Sequence, residues 1–228
     1  MIRIILLTAA SIISGCSTSL NNIHKEQDEI IAKVAESAEK RHYYAYATYL
    51  REKYLANNTE DFSAMQALVI DLENTNKWNK SIQYLAKMLE KKPNDSDLLI
   101  HLGHAYSHLG YWDKAYDTYK KVLSIKPDAS AYNGMGVVLN SSKQFNKAMV
   151  CFDASLKINP NDRSALNNKA ITYAMLNKNK QAINILRNIS IIYPNSYYGE
   201  NLRLIKKKQL KWQKLFKNKS KSKFEYSC

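Results

Sequence analysis

Residues 96–129, SDLLIHLGHAYSHLGYWDKAYDTYKKVLSIKPDA, read as two short amphipathic helices joined by a tight turn at Leu109-Gly110-Tyr111. Leu99, Leu102, Gly103 and Tyr106 recur at spacings of three and four on the first helix, and Ala115, Tyr119 and Val122 do so on the second. Those spacings put each set on one face, so the two sets meet. Pro127 closes the unit, because proline cannot continue a helix. One such hairpin cannot bury both its faces, and it therefore predicts copies of itself on either side.

The chain has four prolines, at 93, 127, 160 and 194, separated by 34, 33 and 34 residues. Counting back from each recovers the same slots: Met135-Gly136, Leu139, Ala148, Phe152 and Ser155 before Pro160, then Lys169-Ala170, Tyr173, Ala182, Leu186 and Ile189 before Pro194. A looser set, Leu68-Val69, Leu72, Ser81, Leu85 and Met88, precedes Pro93. Small residues recurring in register let neighbouring helix backbones approach closely. The order Leu102-Gly103, Tyr106, Ala115, Tyr119, Pro127 resembles the tetratricopeptide signature, whose repeat is about 34 residues. That resemblance implies an all-α fold, a right-handed α-solenoid of helix hairpins with terminal capping helices, in which residues 62–195 form an array of about four repeats.

The N-terminal residues differ in kind. Residues 1–15 combine Arg3, an apolar run from Ile4 to Ile13 and small residues after it. That is the pattern of a secretory signal peptide, too short to span a hydrocarbon core of roughly 30 Å comfortably. Ile13-Ser14-Gly15-Cys16 resembles a bacterial lipobox. The resemblance implies cleavage before Cys16, a diacylglyceryl group on its sulfur and acylation of its new amino group. Ser17 is not the aspartate associated with inner-membrane retention, which points to the outer membrane, facing the periplasm. Residues 16–27 then form a polar tether behind the lipid.

Residues 28–61 show helical spacing, with Ile30, Ile31, Val34 and Ala38 followed by Tyr43, Tyr46, Ala47, Tyr49, Leu50 and Tyr54. Projecting the repeat backwards places Val34-Ala35, Ala38, Ala47 and Tyr54 in its slots, but no proline or glycine marks that register. A degenerate repeat and an N-terminal capping hairpin both fit. At the other end, residues 196–228 carry a capping helix, with Tyr197, Leu202, Ile205 and Leu210 as its packing residues, and a basic tail. Ten cations against Glu200 and Glu225 place +8 of the net charge of +14 in the last 29 residues, with Trp212, Leu215 and Phe216 among them. Three readings fit that tail: a solvated face, a basic amphipathic segment meeting an anionic membrane or acidic partner, and a nucleic-acid contact. The signal peptide disfavours the last.

No nucleotide-binding glycine loop, zinc-protease motif or nucleophile elbow occurs, and no acid, base and nucleophile set stands out, so an enzyme is not expected and no cofactor or small-molecule substrate is implied. Gly134-Met135-Gly136 lies inside a repeat helix, after a turn rather than a strand, which argues against a phosphate cradle. His101, His104 and His108 have helical spacing that can serve zinc, but no Cys, Asp or Glu in fixed relation completes a ligand set, and no metal is expected. Cys151 sits beside the Phe152 slot as a partly buried thiol, and a Cys151–Cys228 bridge is compatible with an oxidising compartment without being required by the sequence.

Tetratricopeptide geometry assigns five slots of each repeat to a binding groove. In this sequence they fall on Asp97, Ile100, His104, Ser107 and His108, then on Ser130, Asn133, Val137, Asn140 and Ser141, and last on Ser164, Asn167, Ile171, Ala174 and Met175. The strip is mixed polar and apolar and suits an extended segment or helix of a protein partner. The Lys and Asn set with which some members hold a terminal carboxylate is not present, since one of its slots carries His104, Val137 and Ile171.

A narrower resemblance lies in Ala131-Tyr132-Asn133-Gly134-Met135-Gly136-Val137-Val138-Leu139, followed by Gln144-Phe145-Asn146-Lys147-Ala148. It is similar to the TadD family, the repeat lipoproteins of tight-adherence (Tad/Flp) pilus systems. The similarity covers about residues 76–194, with Lys169 where that family has leucine. It implies a non-enzymatic outer-membrane lipoprotein that binds the pilus secretin or an associated pilus component and aids its assembly or localisation. A pilotin-like lipoprotein of type IV pili and a periplasmic adaptor for cell-wall hydrolases or proteases are the alternatives.

Overall fold

The computed structural model describes residues 25–193 and 197–223, the stretch 211–223 as backbone only. The expectations for the leader and Cys16, for Pro194 and for Cys228 lie outside the described residues. The described chain is all helix and turn, without a strand. Its helices are α1 (residues 25–40), α2 (Tyr44–Asn57), α3 (Phe62–Asn74), α4 (Trp78–Lys91), α5 (Ser96–His108), α6 (Trp112–Ile125), α7 (Ala129–Ser141), α8 (Phe145–Ile158), α9 (Arg163–Met175), α10 (Asn179–Ile192) and α11 (Tyr197–Lys223). Helix α1 already includes residues 25–27, which the sequence suggests as tether. The chain divides into two compact units, Met1–Pro93 with α1–α4 and Asn94–Cys228 with α5–α11.

Every hairpin turns in the same way. His42, Asn76, Gly110, Lys143 and Asn177 hold φ of 61°, 57°, 75°, 58° and 60°, at intervals of 34, 34, 33 and 34 residues. The amide after each donates back across the turn to the last buried stretch of the preceding helix: Tyr43 to Ala38 O at 2.9 Å, Lys77 to Leu72 O at 2.7 Å, Tyr111 to Tyr106 O at 2.9 Å, Gln144 to Leu139 O at 2.8 Å and Lys178 to Tyr173 O at 2.8 Å. This left-handed termination satisfies carbonyls that a helix end leaves without partners. The hairpin of α1 and α2 shares the turn, although its sequence advertises it with neither glycine nor asparagine.

Helix starts are equally periodic. Asp61, Asp95, Asp128 and Asp162 precede α3, α5, α7 and α9, and each carboxylate accepts backbone N–H bonds from the first turn. An aspartate N-cap stabilises a helix by about 1 kcal/mol over alanine, and its charge suits the positive helix end. The first-turn amide of Ala64 and the phenol of Tyr54 (2.8 Å) hold the Asp61 carboxyl below its ordinary value. Pro93, Pro127 and Pro160 thus stand one or two residues ahead of the caps Asp95, Asp128 and Asp162.

In the N-terminal unit, Met65, Leu68, Val69, Leu72, Leu85 and Met88 form the interior, and Ala35, Ala38 and Ala47 are buried in the first hairpin. Val34 is exposed and Tyr54 only half-buried. Counted at the repeat spacing, the position filled by Leu85, Tyr119, Phe152 and Leu186 belongs to Arg51. Its guanidinium is buried and bonds both the fully buried Asp71 on α3 and Glu39 on α1. Burial pushes the Asp71 carboxyl above the usual carboxylate range, with Arg51 pulling the other way.

The second unit is built around rings seated on glycines. Tyr119 is 1% exposed, and a Cβ added at Gly103 or Gly134 would lie 2.5 or 2.3 Å from its ring atoms. Gly136 receives Phe152 in the same way, at 2.5 Å. Glycine inside a helix costs about 1 kcal/mol relative to alanine, whereas overpacking a core costs about 1–3 kcal/mol, so the close approach decides for glycine. At the C-terminal end, Ala170, Ala174, Ala182, Ile183, Leu186 and Ile189 are covered by Tyr198 and Ile205 of α11, with Leu202 packed alongside. Of the four packing residues expected from the sequence, Leu202 and Ile205 take this role and Tyr197 and Leu210 do not. The latter two are 57% exposed each, because the packing phase runs through 198, 202 and 205 and misses both.

Candidate protein-binding face

In the second unit α5, α7, α9 and α11 lie side by side, each against the next, while α6, α8 and α10 form the other layer of their hairpins. The common turn and cap fix the length of each inner helix, so residues one repeat apart come into register. His104, Val137 and Ile171 stand at one such position, and Ile205 of α11 continues the column. His104, Val137 and Ile171 are half-buried and Ile205 is buried. Ile100 is half-buried, whereas Asp97, His108 and Met175 are exposed. These residues make a strip whose centre is largely aliphatic and whose edges are polar.

The amides expected in the groove are already engaged with one another. Asn133 Nδ2 donates to Ser164 Oγ at 3.2 Å, and its Oδ1 accepts from Asn168 at 3.0 Å. Asn140 Nδ2 donates to Thr172 Oγ1 at 2.7 Å, and Asn201 Nδ2 donates to Asn167 Oδ1 at 2.9 Å. Asn167 is 5% exposed. These side chains join one inner helix to the next, so they hold the face in register more than they offer hydrogen bonds to a visitor. The groove slots of the repeat leave out Asn168, Thr172 and Asn201. The signal was there for Asn201, which follows Asn133 and Asn167 at intervals of 34 residues.

Ser107 is also used internally, donating to Gly103 O at 2.9 Å and lying 3.4 Å from the Tyr119 hydroxyl. The His104 ring meets Tyr119 edge-on at 6.0 Å and His101 at 6.5 Å. Among the described residues no group of three or more His, Cys, Asp or Glu is placed to hold a metal ion. Lys169, the residue at odds with the narrower family pattern, is half-buried and pairs with Asp153 of α8 at 2.6 Å. It therefore ties α9 to the preceding hairpin.

A cavity of about 670 Å³ lies away from this face, among α6, α7 and α8, lined by Tyr116, Val138, Leu139, Val150 and Cys151 with Asp113 and Asp117 at its edge. Burial raises the Cys151 thiol above its ordinary value, which keeps it protonated and unreactive at neutral pH.

Residues 75–135 and 129–162 match family models of the tetratricopeptide repeat. Among curated proteins, the peroxisomal targeting signal receptor of Pichia angusta is 38% identical over 56 residues, which is 25% of this chain and 10% of that one. The chain thus aligns with about a tenth of that relative's length. Solved structures agree over far more of the fold. A thermophilic tetratricopeptide-repeat protein of Thermus thermophilus superposes with a TM-score of 0.65 at 17% identity, covering 77% of this chain and 98% of that one. A tetratricopeptide-repeat protein of Parabacteroides merdae gives 0.62 at 15% identity, covering 88% and 80%. MamA of Desulfovibrio magneticus gives 0.60 at 14% identity, covering 74% and 96%.

Proposed function

The chain is a tetratricopeptide-repeat protein, an architecture that binds other proteins, and we propose that it is a lipid-anchored scaffold facing the periplasm from an outer membrane, where it holds a component of a Tad-type pilus, foremost the secretin. The observation that carries the binding role is the inner face of α5, α7 and α9, where His104, Val137 and Ile171 align and His108 and Met175 stay accessible. A strip of this kind takes an apolar helix or extended segment, with the polar edge excluding water around it. Cys16 supplies the anchor in this reading, and two or three acyl chains bind a bilayer at roughly 0.8 kcal/mol per buried methylene.

The choice of partner draws on the resemblance of residues 131–148 to TadD-like lipoproteins. Gly134 and Gly136 in that stretch seat rings and so speak for the repeat, while Asn133 and Val137 stand on the inner face.

The geometry also selects the test. Replacing Asn133 and Asn167 would cut the bonds between inner helices, so Met175→Lys, at an exposed position on the same face, is the cleaner probe. The substitution should lower capture of the secretin from detergent-solubilised membranes about tenfold with an unchanged melting temperature, as loss of one anchoring contact would. Undiminished capture would move the binding face elsewhere. Deleting the gene should reduce or displace secretin multimers in outer-membrane fractions, and wild-type multimers would exclude the pilus role. Cys16→Ser should abolish membrane fractionation by the acyl chain.

A further inference from the structure

Helix α11 is an inner helix that does not stop. Asn201 bonds Asn167 and the Lys208 ammonium bonds Ala174 O at 3.3 Å, both at an offset of 34 residues, so α11 and α9 run in repeat register. Helix α9 ends at Met175 and its left-handed turn residue is Asn177, whose equivalents in α11 are Gln209 and Lys211. At this point α5, α7 and α9 all turn back, whereas α11 continues to Lys223. Residues 210–223 therefore run past the end of α9 for roughly 20 Å, at about 1.5 Å per residue.

The sequence of this overhang, LKWQKLFKNKSKSK, holds six lysines and no acid, with Leu210, Trp212, Leu215 and Phe216 in its first half. Just before it, Arg203, Leu204, Lys206, Lys207 and Lys208 are exposed on α11. No described helix is long and apolar enough to cross a membrane. A basic helix with a few large apolar residues has the composition of a segment that lies in a bilayer interface, with rings and leucines at the acyl boundary and lysines among anionic headgroups. Lysine is a hydrated point charge suited to a diffuse anionic surface, whereas planar bidentate recognition of one phosphate selects arginine, of which the overhang has none and α11 as a whole only Arg203. A second copy of the overhang is repelled by its charge.

We propose that the α11 overhang binds an anionic lipid surface, as an interfacial contact separate from the partner-binding face. It depends neither on the pilus reading nor on lipidation of Cys16, because its signature is charge dependence.

The test uses the full chain with vesicles of phosphatidylcholine, with and without phosphatidylglycerol, and reads tryptic cleavage within residues 211–223 by mass spectrometry alongside co-sedimentation. Anionic vesicles should protect these lysines at least tenfold better than zwitterionic ones at ~0.1 M salt, and ~0.5 M salt should remove the difference. Changing Lys211, Lys214, Lys217 and Lys219 to Gln removes four of the six tryptic sites, so this variant is read by co-sedimentation, where the preference should fall by about fivefold per lysine until none remains. An unchanged circular dichroism melt would show that the array is intact. Equal protection by both vesicle types, or a preference that survives the four substitutions, would overturn the proposal. So would stronger protection by duplex DNA or an acidic peptide at the same ionic strength.

Discussion

At Lys143 the backbone takes φ of 58° with the side chain in solvent. A Cβ in that region costs about 1–2 kcal/mol, and asparagine or glycine there costs less. The equivalent positions carry Asn76, Gly110 and Asn177, residues that tolerate the conformation, and His42, which enters it more readily than a lysine does. Lys143→Gly should raise stability by about 1 kcal/mol, since relief of strain exceeds the added backbone entropy of the unfolded chain. Urea unfolding followed by circular dichroism checks it, and a loss of stability would mean that the lysine makes a compensating contact. This scale also shows what the sequence withholds. Gly110 announces its turn, whereas His42 and Lys143 adopt the same φ under the constraint of the helices on either side. The groove residues behave alike: type and spacing located Asn133, Asn140 and Asn167, but only the structure shows that their amides are spent on Ser164, Asn168, Thr172 and Asn201.

Between elements, the informative departure is Arg51. Hydrophobic side chains fill its slot in every later hairpin, so a reader scanning for apolar recurrence loses the register there, while Ala35, Ala38 and Ala47 keep it. The substitution is coherent because α1 and α3 supply Glu39 and Asp71, and the three charges join α1, α2 and α3 across the interior of the N-terminal unit. Buried ion pairs give little net stability over a well-packed apolar replacement, yet removing one partner strands the other at a cost of about 3–5 kcal/mol. Arg51→Leu alone should therefore destabilise the protein by about 3 kcal/mol, because Asp71 is fully buried. Arg51→Leu with Asp71→Ala, which imitates Leu85 and Ala105 one repeat on, should recover most of that loss, Glu39 being able to reach water. Denaturant midpoints of wild type, single and double variants decide the matter. A double variant no better than the single one would mean that the network does more than fill the slot.

For the molecule as a whole, repeat spacing made the all-α hairpin fold legible, because prolines, small residues and rings recur together at one period. What it could not disclose is where the last inner helix stops serving the fold. Among residues 197–210, the part of α11 whose side chains are described, the buried residues end at Ile205, and Leu210 is already exposed. A chain ending after Leu210 should thus melt at the wild-type temperature. Ile205→Asp should instead cost more than about 3 kcal/mol, since it places a carboxylate without a partner against Ile183, Leu186 and Ile189. Calorimetry of the two variants beside wild type separates capping from overhang. If the shortened chain lost as much stability as Ile205→Asp, residues 211–223 would belong to the fold and their lysines would have a structural origin. If it lost none, selection for stability could not account for six lysines in that stretch, and their charge would remain to be explained by what the overhang meets.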